Sequence, residues 1–243
     1  MTSIDAVALK LEAISLFRRV KKYYKYKELK PIFNMHIPLL SKYAKGKLLP
    51  GKKRAVDIIK KCKEIIKPED EVRKEIFRGI YNYPEFSNLC SRSPELLLYI
   101  TIQVYKQYKD NSKINKILTI EGGGLIIASI LSILLNKGLV YALRDHFVED
   151  SIVESFPESS RFLKYKRFIA LPKKAISCED RLLILDDIAW RGETIKALLR
   201  IVKRIGAKVE DIYIVNVYSK DLVKDIMRTY NVSVHYLIEL AKG

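Results

Sequence analysis

Two adjacent carboxylates, followed by a glycine and a threonine, form the pattern with the clearest chemistry in this chain. Asp186 and Asp187 come directly after four apolar residues, Leu182–Leu185, and Gly192 and Thr194 follow in a short loop. The apolar run predicts a buried strand, and the next residues, IKALLRIVKRIG, predict an amphipathic helix. Carboxylates accept hydrogen bonds from sugar hydroxyls, and backbone N–H groups at a helix start bind phosphate. The pattern therefore predicts a sugar-phosphate site, although two Asp that only cap a helix would look the same.

A glycine-rich turn is the second pattern with chemical potential. A short apolar strand, Ile117–Ile120, leads into Glu121-Gly122-Gly123-Gly124, and a helix pattern continues to about Asn136. Three glycines permit unusual backbone angles and let a ligand approach main-chain N–H groups, although a plain tight turn would explain them equally well. The turn lies about 65 residues ahead of the Asp pair, which is the order and spacing expected if both serve one site.

The segment LLILDDIAWRGET closely resembles the phosphoribosyl-pyrophosphate (PRPP) motif of type I phosphoribosyltransferases. In that family an apolar strand is followed by Asp/Glu-Asp, two apolar or small residues, two positions usually Thr or Ser, Gly, any residue and Thr. Trp190 and Arg191 replace the two hydroxyl residues here, and the family's bacterial pyrimidine-operon regulators also have an aromatic residue at the first of them. The resemblance implies a PRPP or nucleotide site made by Asp186, Asp187, Ile188, Ala189, Trp190, Arg191, Gly192, Glu193 and Thr194.

The same resemblance assigns the glycine-rich turn to pyrophosphate. Orotate-type members have a similar turn, and an arginine follows the next strand, where this chain has Leu143-Arg144. The implied cofactor is Mg²⁺ bound through PRPP, with no metal site formed by the protein alone. The expected pyrophosphate residues are Glu121, Gly122, Gly123, Gly124 and Arg144.

Alternating strand and helix patterns from residue 94 onwards must position these residues. They predict an α/β domain with a parallel sheet covered on both faces, whose ligands bind at the carboxyl ends of the strands. The predicted helices are Leu96–Tyr108, Leu125–Asn136, one after Gly192, and Asp221–Thr229. The predicted strands are Ile117–Ile120, Leu139–Leu143, Leu182–Leu185, Ile212–Val217 and Ser233–Leu237, and a further apolar stretch lies at Phe168–Leu171.

The first part of the chain shows helical patterns without strand alternation. The segment from Lys25 to Ile59 resembles the helix-turn-helix of phage-repressor-like proteins, with helices Lys27–Phe33 and Ile37–Lys45 around Asn34 and a further helix at Lys52–Ile66. The expected fold is thus a phosphoribosyltransferase-type domain (94–243) preceded by a small all-α helix-turn-helix domain (1–67) and a connector or cover (68–93). A helical extension used for dimerisation or for covering the site is the alternative. The predicted DNA-facing residues are His36, Pro38, Ser41, Lys42, Lys45 and Lys47.

Charge favours a nucleic-acid partner for the helical segment. The chain has a net charge of +17, and residues 1–80 carry 21 Lys and Arg against 9 Asp and Glu, a net of +12. Such a surplus is typical of DNA-binding segments, although solvated helix faces also carry many lysines. Three cysteines without metal-ligand spacing indicate a reducing cytoplasm. The sequence contains no run of 18 apolar residues, so it predicts no transmembrane helix.

The choice between an enzyme and a regulator depends on the segment after Arg144. Residues 145–160 contain five carboxylates and no Lys or Arg, and an acidic loop would repel a leaving pyrophosphate. The resemblance to archaeal regulators that join a helix-turn-helix to an orotate-type domain then favours a homodimeric transcription regulator that binds double-stranded DNA and senses PRPP or a nucleotide. The alternatives are an active phosphoribosyltransferase for orotate or a purine base, and an RNA-binding attenuation regulator.

Overall fold

The computed structural model describes residues 3–78, 85–146, 148–159 and 164–240. The chain folds as two compact units, Met1–Lys106 and Gln107–Gly243. This division lies within a helix, whereas the domain boundaries predicted from the sequence are at residues 67 and 93 and stay predictions.

The first unit is helical throughout its described part. Phe17 in its first helix packs edge-on against Phe33, with ring centroids 5.1 Å apart, and both side chains are buried. The helices are α1 (Ser3–Lys21), α2 (Tyr26–Phe33), α3 (Ile37–Ala44), α4 (Lys52–Ile65), α5 (Pro68–Ile76), α6 (Phe86–Arg92) and α7 (Pro94–Tyr108).

The helices predicted around the turn at Asn34 are confirmed. Asn34 ends α2 in the left-handed conformation (φ 49°), and Leu40 and Tyr43 are buried on the inner face of α3. A separate helix-turn-helix domain is not shown. The buried Arg19 guanidinium of α1 instead pairs with Glu71 and Glu75 of α5 at 2.7 and 2.8 Å, which joins the first helix to the segment predicted as a connector.

The predicted connector 68–93 contains the helices α5 and α6 in its described part. Residues 79–84, with the Gly79 and Pro84 that suggested a connector, lie outside the described residues.

The second unit is a seven-stranded sheet with helices. The strand order is β3-β4-β2-β1-β5-β6-β7. Neighbouring strands in the run β2-β1-β5-β6-β7 are parallel. The elements are β1 (Lys116–Ile120), α8 (Gly123–Leu135), β2 (Gly138–Arg144), β3 (Ser151–Ser159), β4 (Lys164–Pro172), β5 (Arg181–Ala189), α9 (Glu193–Ile205), β6 (Lys208–Val217), α10 (Lys220–Tyr230) and β7 (Val234–Glu239).

The predicted parallel sheet is confirmed for most of its strands, but the segment after Arg144 is not the polar loop that the sequence predicts. β3 and β4 form an antiparallel hairpin, and β4 pairs with β2 in the antiparallel sense. The five carboxylates of residues 145–160 indicate a loop and mask the strand pattern of residues 151–159. In the structure Phe156 is buried, and the Glu154 carboxylate is half-buried because Arg200 and Arg204 of α9 neutralise it.

The core of the second unit explains why the Asp pair lies near the carboxyl end of β5. Leu182–Leu185 of β5 are all buried between β1 and β6, so the strand is apolar until Asp186. This burial favours the strand and leaves the polar pair at its carboxyl end. Across the described ranges, no helix has the length and apolar character needed to cross a membrane.

Candidate functional site

Asp186 and Asp187 lie at the carboxyl end of the central strand β5. The Asp186 side chain is buried (4% exposed), and its Oδ1 accepts a hydrogen bond from the Asp187 backbone N–H at 3.0 Å. The two residues do not cap the following helix, because α9 begins after Gly192. The structure therefore disfavours the alternative in which these carboxylates only cap a helix.

Burial raises the pKa of both carboxyl groups. For Asp186 the pKa lies well above its ordinary value, first because the group is removed from water and then because Asp187 is negatively charged. The pKa of Asp187 is also raised by burial. The nearby positive charge of Arg144 opposes both shifts. A ligand that brings hydroxyl donors or positive charge would therefore stabilise the ionised forms of these two buried carboxyl groups.

The loop after β5 leads into a helix start that suits an anion. Trp190 and Arg191 are exposed, and Gly192 adopts a left-handed conformation (φ 72°). A Cβ at Gly192 would lie 3.0 Å from Leu222 Cδ1 and 3.1 Å from Ile226 Cδ1, so both backbone and packing require glycine there. No side chain caps α9. The N–H groups of its first turn, which contains Glu193 and Thr194, are thus suited to a phosphate.

The glycine-rich turn lies directly against the Asp pair. Gly122 has φ 142°, a conformation that favours glycine. A Cβ at Gly124 would lie 2.9 Å from Thr119 Oγ1 and 3.2 Å from Asp186 Cα. The absence of a side chain at Gly124 is what allows the start of α8 to approach Asp186. The two motifs predicted from the sequence are therefore brought together.

Arg144 and Glu121 complete this edge of the sheet. Glu121 follows β1, and its backbone N–H donates to Ala142 O at 2.9 Å. The Arg144 backbone N–H donates to Glu121 Oε2 at 3.2 Å. Because Arg144 also lowers the pKa of both Asp186 and Asp187, its positive charge acts on the same site. The predicted pyrophosphate residues and the Asp pair thus share one electrostatic environment.

Sequence reasoning missed a buried polar residue that supports the pair. Asn216 of β6 is fully buried, and its Nδ2 donates to Asp187 O at 3.0 Å. The signal in the sequence was the single polar residue within the apolar run IVNV. A buried amide needs partners, so its side chain fixes the backbone at Asp187.

Three of the five carboxylates that argued against catalysis are paired with cations. Asp145 lies 3.4 Å from Arg167 Nε, and Asp150 lies 2.6 Å from Lys173 Nζ. Glu154 forms ion pairs with Arg200, at 2.5 Å, and with Arg204. The segment is therefore not the unpaired acidic loop that the sequence suggested, and these carboxylates give no reason to expect repulsion of pyrophosphate.

The residues predicted to face DNA all belong to the helical unit. His36 precedes α3, Lys45 ends it, and Ser41 is half-buried, whereas the other members of the set are exposed. Their exposure is what any solvated helix face would show. The exposed members are His36, Pro38, Lys42, Lys45 and Lys47.

Comparisons with known proteins point to one family and to enzymes within it. Residues 96–232 match the family model described as phosphoribosyl transferase domain. The chain is 28% identical over 169 residues to the adenine phosphoribosyltransferase of Blochmanniella pennsylvanica, covering 64% of this chain and 88% of the relative. It is 30% identical over 157 residues to the xanthine phosphoribosyltransferase of Lacticaseibacillus casei, covering 60% and 78%. It is 32% identical over 143 residues to the hypoxanthine/guanine phosphoribosyltransferase of Methanosarcina barkeri, covering 56% and 70%.

A solved structure shares the fold. The adenine phosphoribosyltransferase of Rhodothermus marinus superposes with a TM-score of 0.58 at 21% identity, covering 71% of this chain and 98% of that one.

These relatives correct the functional interpretation of the sequence. They are named as purine phosphoribosyltransferases, so the prediction of a DNA-binding regulator, which favoured the absence of catalysis, is wrong. The relatives support the alternative of an active phosphoribosyltransferase, and double-stranded DNA is not supported as a partner. The error came from two interpretations of charge along the chain. In the sequence, basic residues on helix faces resemble a DNA-binding surface, and carboxylates that have partners in space resemble an unpaired acidic loop.

Proposed function

Because the chain belongs to the phosphoribosyl transferase domain family, we propose that it is a purine phosphoribosyltransferase. The reaction joins a purine base and PRPP to give a nucleoside monophosphate and pyrophosphate. A ring nitrogen of the base forms a bond to C1 of the ribose while the C1–O bond to pyrophosphate breaks. The pyrophosphate leaves with that bonding pair, and the base nitrogen loses its proton. The observation that carries the proposal is the close approach of Gly124 to Asp186 beside Arg144.

The Asp pair is proposed to hold the ribose. In the carboxylate form, Asp186 and Asp187 accept hydrogen bonds from the two ribose hydroxyls, and such charge-assisted bonds are among the stronger ones in proteins. The hydrogen bond from Asn216 fixes the Asp187 backbone. Positioning C1 in this way converts a bimolecular encounter into a reaction between oriented groups.

The two helix starts are proposed to hold the phosphates. The first turn of α9, with Arg191, Gly192, Glu193 and Thr194, provides N–H groups for the 5′-phosphate, assisted by the positive end of the helix dipole. The glycine-rich turn at the start of α8 provides N–H groups for pyrophosphate. The Arg144 side chain adds positive charge where negative charge develops as pyrophosphate leaves.

The donor set fits Mg²⁺ bound together with PRPP. Carboxylate oxygens are the hard ligands that Mg²⁺ takes, and burial raises the pKa of Asp186 and Asp187, so a bound cation would favour their ionised forms. No cluster of three or more metal-ligating side chains occurs in the part of the chain that the structure describes. When bound, Mg²⁺ supplies charge neutralisation at the pyrophosphate.

A turnover assay tests the proposal directly. Purified protein is incubated with PRPP, Mg²⁺ and one of adenine, hypoxanthine, guanine or xanthine, with orotate as a pyrimidine comparison, and nucleotide and pyrophosphate are both quantified. We expect equal amounts of the two products with at least one purine, and loss of turnover in Asp187→Asn. Absence of nucleotide with all four purines would refute the proposal, as would exclusive use of orotate.

A further inference from the structure

Two exposed aromatic rings contact each other at the edge of the proposed site. Trp190 is 38% exposed and Tyr218 is 41% exposed. Their ring centroids lie 4.5 Å apart, with the planes inclined at 45°. Aromatic pairs that serve only to pack are normally covered, whereas each of these rings keeps a large part of its surface in contact with solvent.

The backbone holds both rings at the carboxyl ends of neighbouring strands. Trp190 follows the last residue of β5, three positions after Asp187, and Tyr218 follows the last residue of β6. The Tyr218 backbone N–H donates to Ala189 O at 2.9 Å, so the two ring-bearing segments are hydrogen-bonded to each other. The strand ends are fixed further by Leu240, whose N–H donates to Val217 O at 2.8 Å. The pair is therefore a preformed surface beside the carboxylates.

We propose that Trp190 and Tyr218 form the stacking surface for the purine base, an inference that rests on the proposed function. A base joined to C1 of a ribose held at Asp186 and Asp187 must lie beside those carboxylates, where these rings are exposed. Every purine has a π-face, so stacking binds adenine, hypoxanthine, guanine and xanthine alike and leaves discrimination among them to other groups. Trp190 thus stabilises the base at a position where related motifs have a hydroxyl residue.

The single tryptophan of the chain gives a readout that is independent of turnover. Because Trp190 is the only Trp, intrinsic tryptophan fluorescence reports on this surface alone. The wild-type protein is titrated with AMP, IMP, GMP and XMP, and with ribose 5-phosphate, which has the sugar phosphate but no base. Calorimetry on the same samples establishes whether each compound binds. We expect a nucleotide that binds to change the fluorescence strongly and ribose 5-phosphate to change it little.

Kinetics separates stacking from general damage to the site. Trp190→Ala and Tyr218→Ala should each raise the KM for the base by roughly 5- to 100-fold, the range that corresponds to the loss of one stacked ring, and should raise the KM for PRPP much less. Trp190→Phe should recover most of the loss. Tyr141→Ala, at a tyrosine that is 45% exposed on β2, is the matched control and should leave both constants unchanged.

The outcomes distinguish this inference from the proposed function. A protein that turns over a purine, but whose nucleotide binds without a fluorescence change or whose alanine variants keep the wild-type KM for the base, would overturn the stacking role alone. Equal fluorescence changes with ribose 5-phosphate and nucleotide would also overturn it. A protein that binds neither PRPP nor any nucleotide would refute the proposed function and the stacking role together.

Discussion

Replacing Asp186 with asparagine should stabilise the free protein while weakening its binding to PRPP. The Asp186 carboxyl is buried, and its pKa is raised by desolvation and by the charge of Asp187. At neutral pH its ionised form therefore destabilises the fold. Asparagine keeps an Oδ1 that accepts from the Asp187 N–H, the bond that Asp186 makes at 3.0 Å, and it removes the buried negative charge.

Asp186→Asn should change protein stability and PRPP affinity in opposite directions. We expect the free energy of unfolding at neutral pH to rise by on the order of 1 kcal/mol or more. PRPP loses a charge-assisted hydrogen bond worth about 1.5–3 kcal/mol, so its Kd in the presence of Mg²⁺ should rise by about tenfold to a hundredfold. Denaturant unfolding measures the first quantity, and isothermal titration calorimetry measures the second.

The pH dependence of stability provides a further check on the sign. A carboxyl whose pKa is higher in the folded state than in the unfolded state stabilises the fold fully below the unfolded value of about 3.9. That contribution is lost as the pH rises through the raised folded value. The stability of Asp186→Asn relative to the wild-type protein should therefore increase with pH over this window, because the other carboxyl groups titrate in both proteins.

Asp180→Asn is the matched control, because its carboxyl has the opposite environment. Burial alone would raise the pKa of Asp180, but the Lys116 ammonium at 2.7 Å and the Ser177 backbone N–H lower it. Its ionised form stabilises the fold at neutral pH, and this stability is lost as the pH falls through the lowered pKa. Asp180→Asn should cost about 1–3 kcal/mol without changing the Kd for PRPP. Equal losses of stability in the two variants, or an unchanged Kd in Asp186→Asn, would refute the reasoning.

Two further substitutions test the packing that supports the two units. Gly124→Ala places a Cβ 3.2 Å from Asp186 Cα, so it should lower the free energy of unfolding by about 1–3 kcal/mol through overpacking and raise the Kd for PRPP in calorimetry. The control is Gly51→Ala, where no atom lies within 4 Å of the added Cβ and the Kd should stay unchanged. Similar Kd values in the two variants would contradict the contact. Arg19→Met removes the buried partner of Glu71 and Glu75 and should lower the free energy of unfolding by about 3–5 kcal/mol in denaturant unfolding. The control Lys74→Met, at an exposed partner of the same Glu71, should lower it by less than about 1 kcal/mol. A small loss in Arg19→Met would show that the buried ion pairs contribute little.

The sequence was informative wherever local pattern decided the structure. Leu182–Leu185 predicted a buried strand, and β5 spans Arg181–Ala189. The left-handed Asn34 and the αL glycine Gly192 lie where chain reversals were expected. These features depend on residues that are neighbours in the chain, so propensity and turn chemistry suffice to predict them.

The sequence misled wherever distant residues decided the structure. The hairpin β3–β4 was missed because Glu154 looks like a loop residue until Arg200, 46 positions later, is placed beside it. The amide of Asn216 could not be assigned to Asp187 without the register of β5 against β6. The functional interpretation failed in the same way, because charge was counted along the chain although its effect depends on pairing in space.

The distribution of paired carboxylates in the second unit argues that the Asp pair is a binding site. Asp145, Asp150, Glu154 and Asp180 each have a lysine or arginine partner. In the part of the chain that the structure describes, no such ion pair reaches the more deeply buried Asp186, which feels only the longer-range charge of Arg144. A protein that needed this carboxylate only for its fold would gain stability from an apolar or amide side chain. The unmet demand for hydrogen-bond donors and positive charge is therefore best explained by a ligand that brings both, as PRPP with Mg²⁺ does.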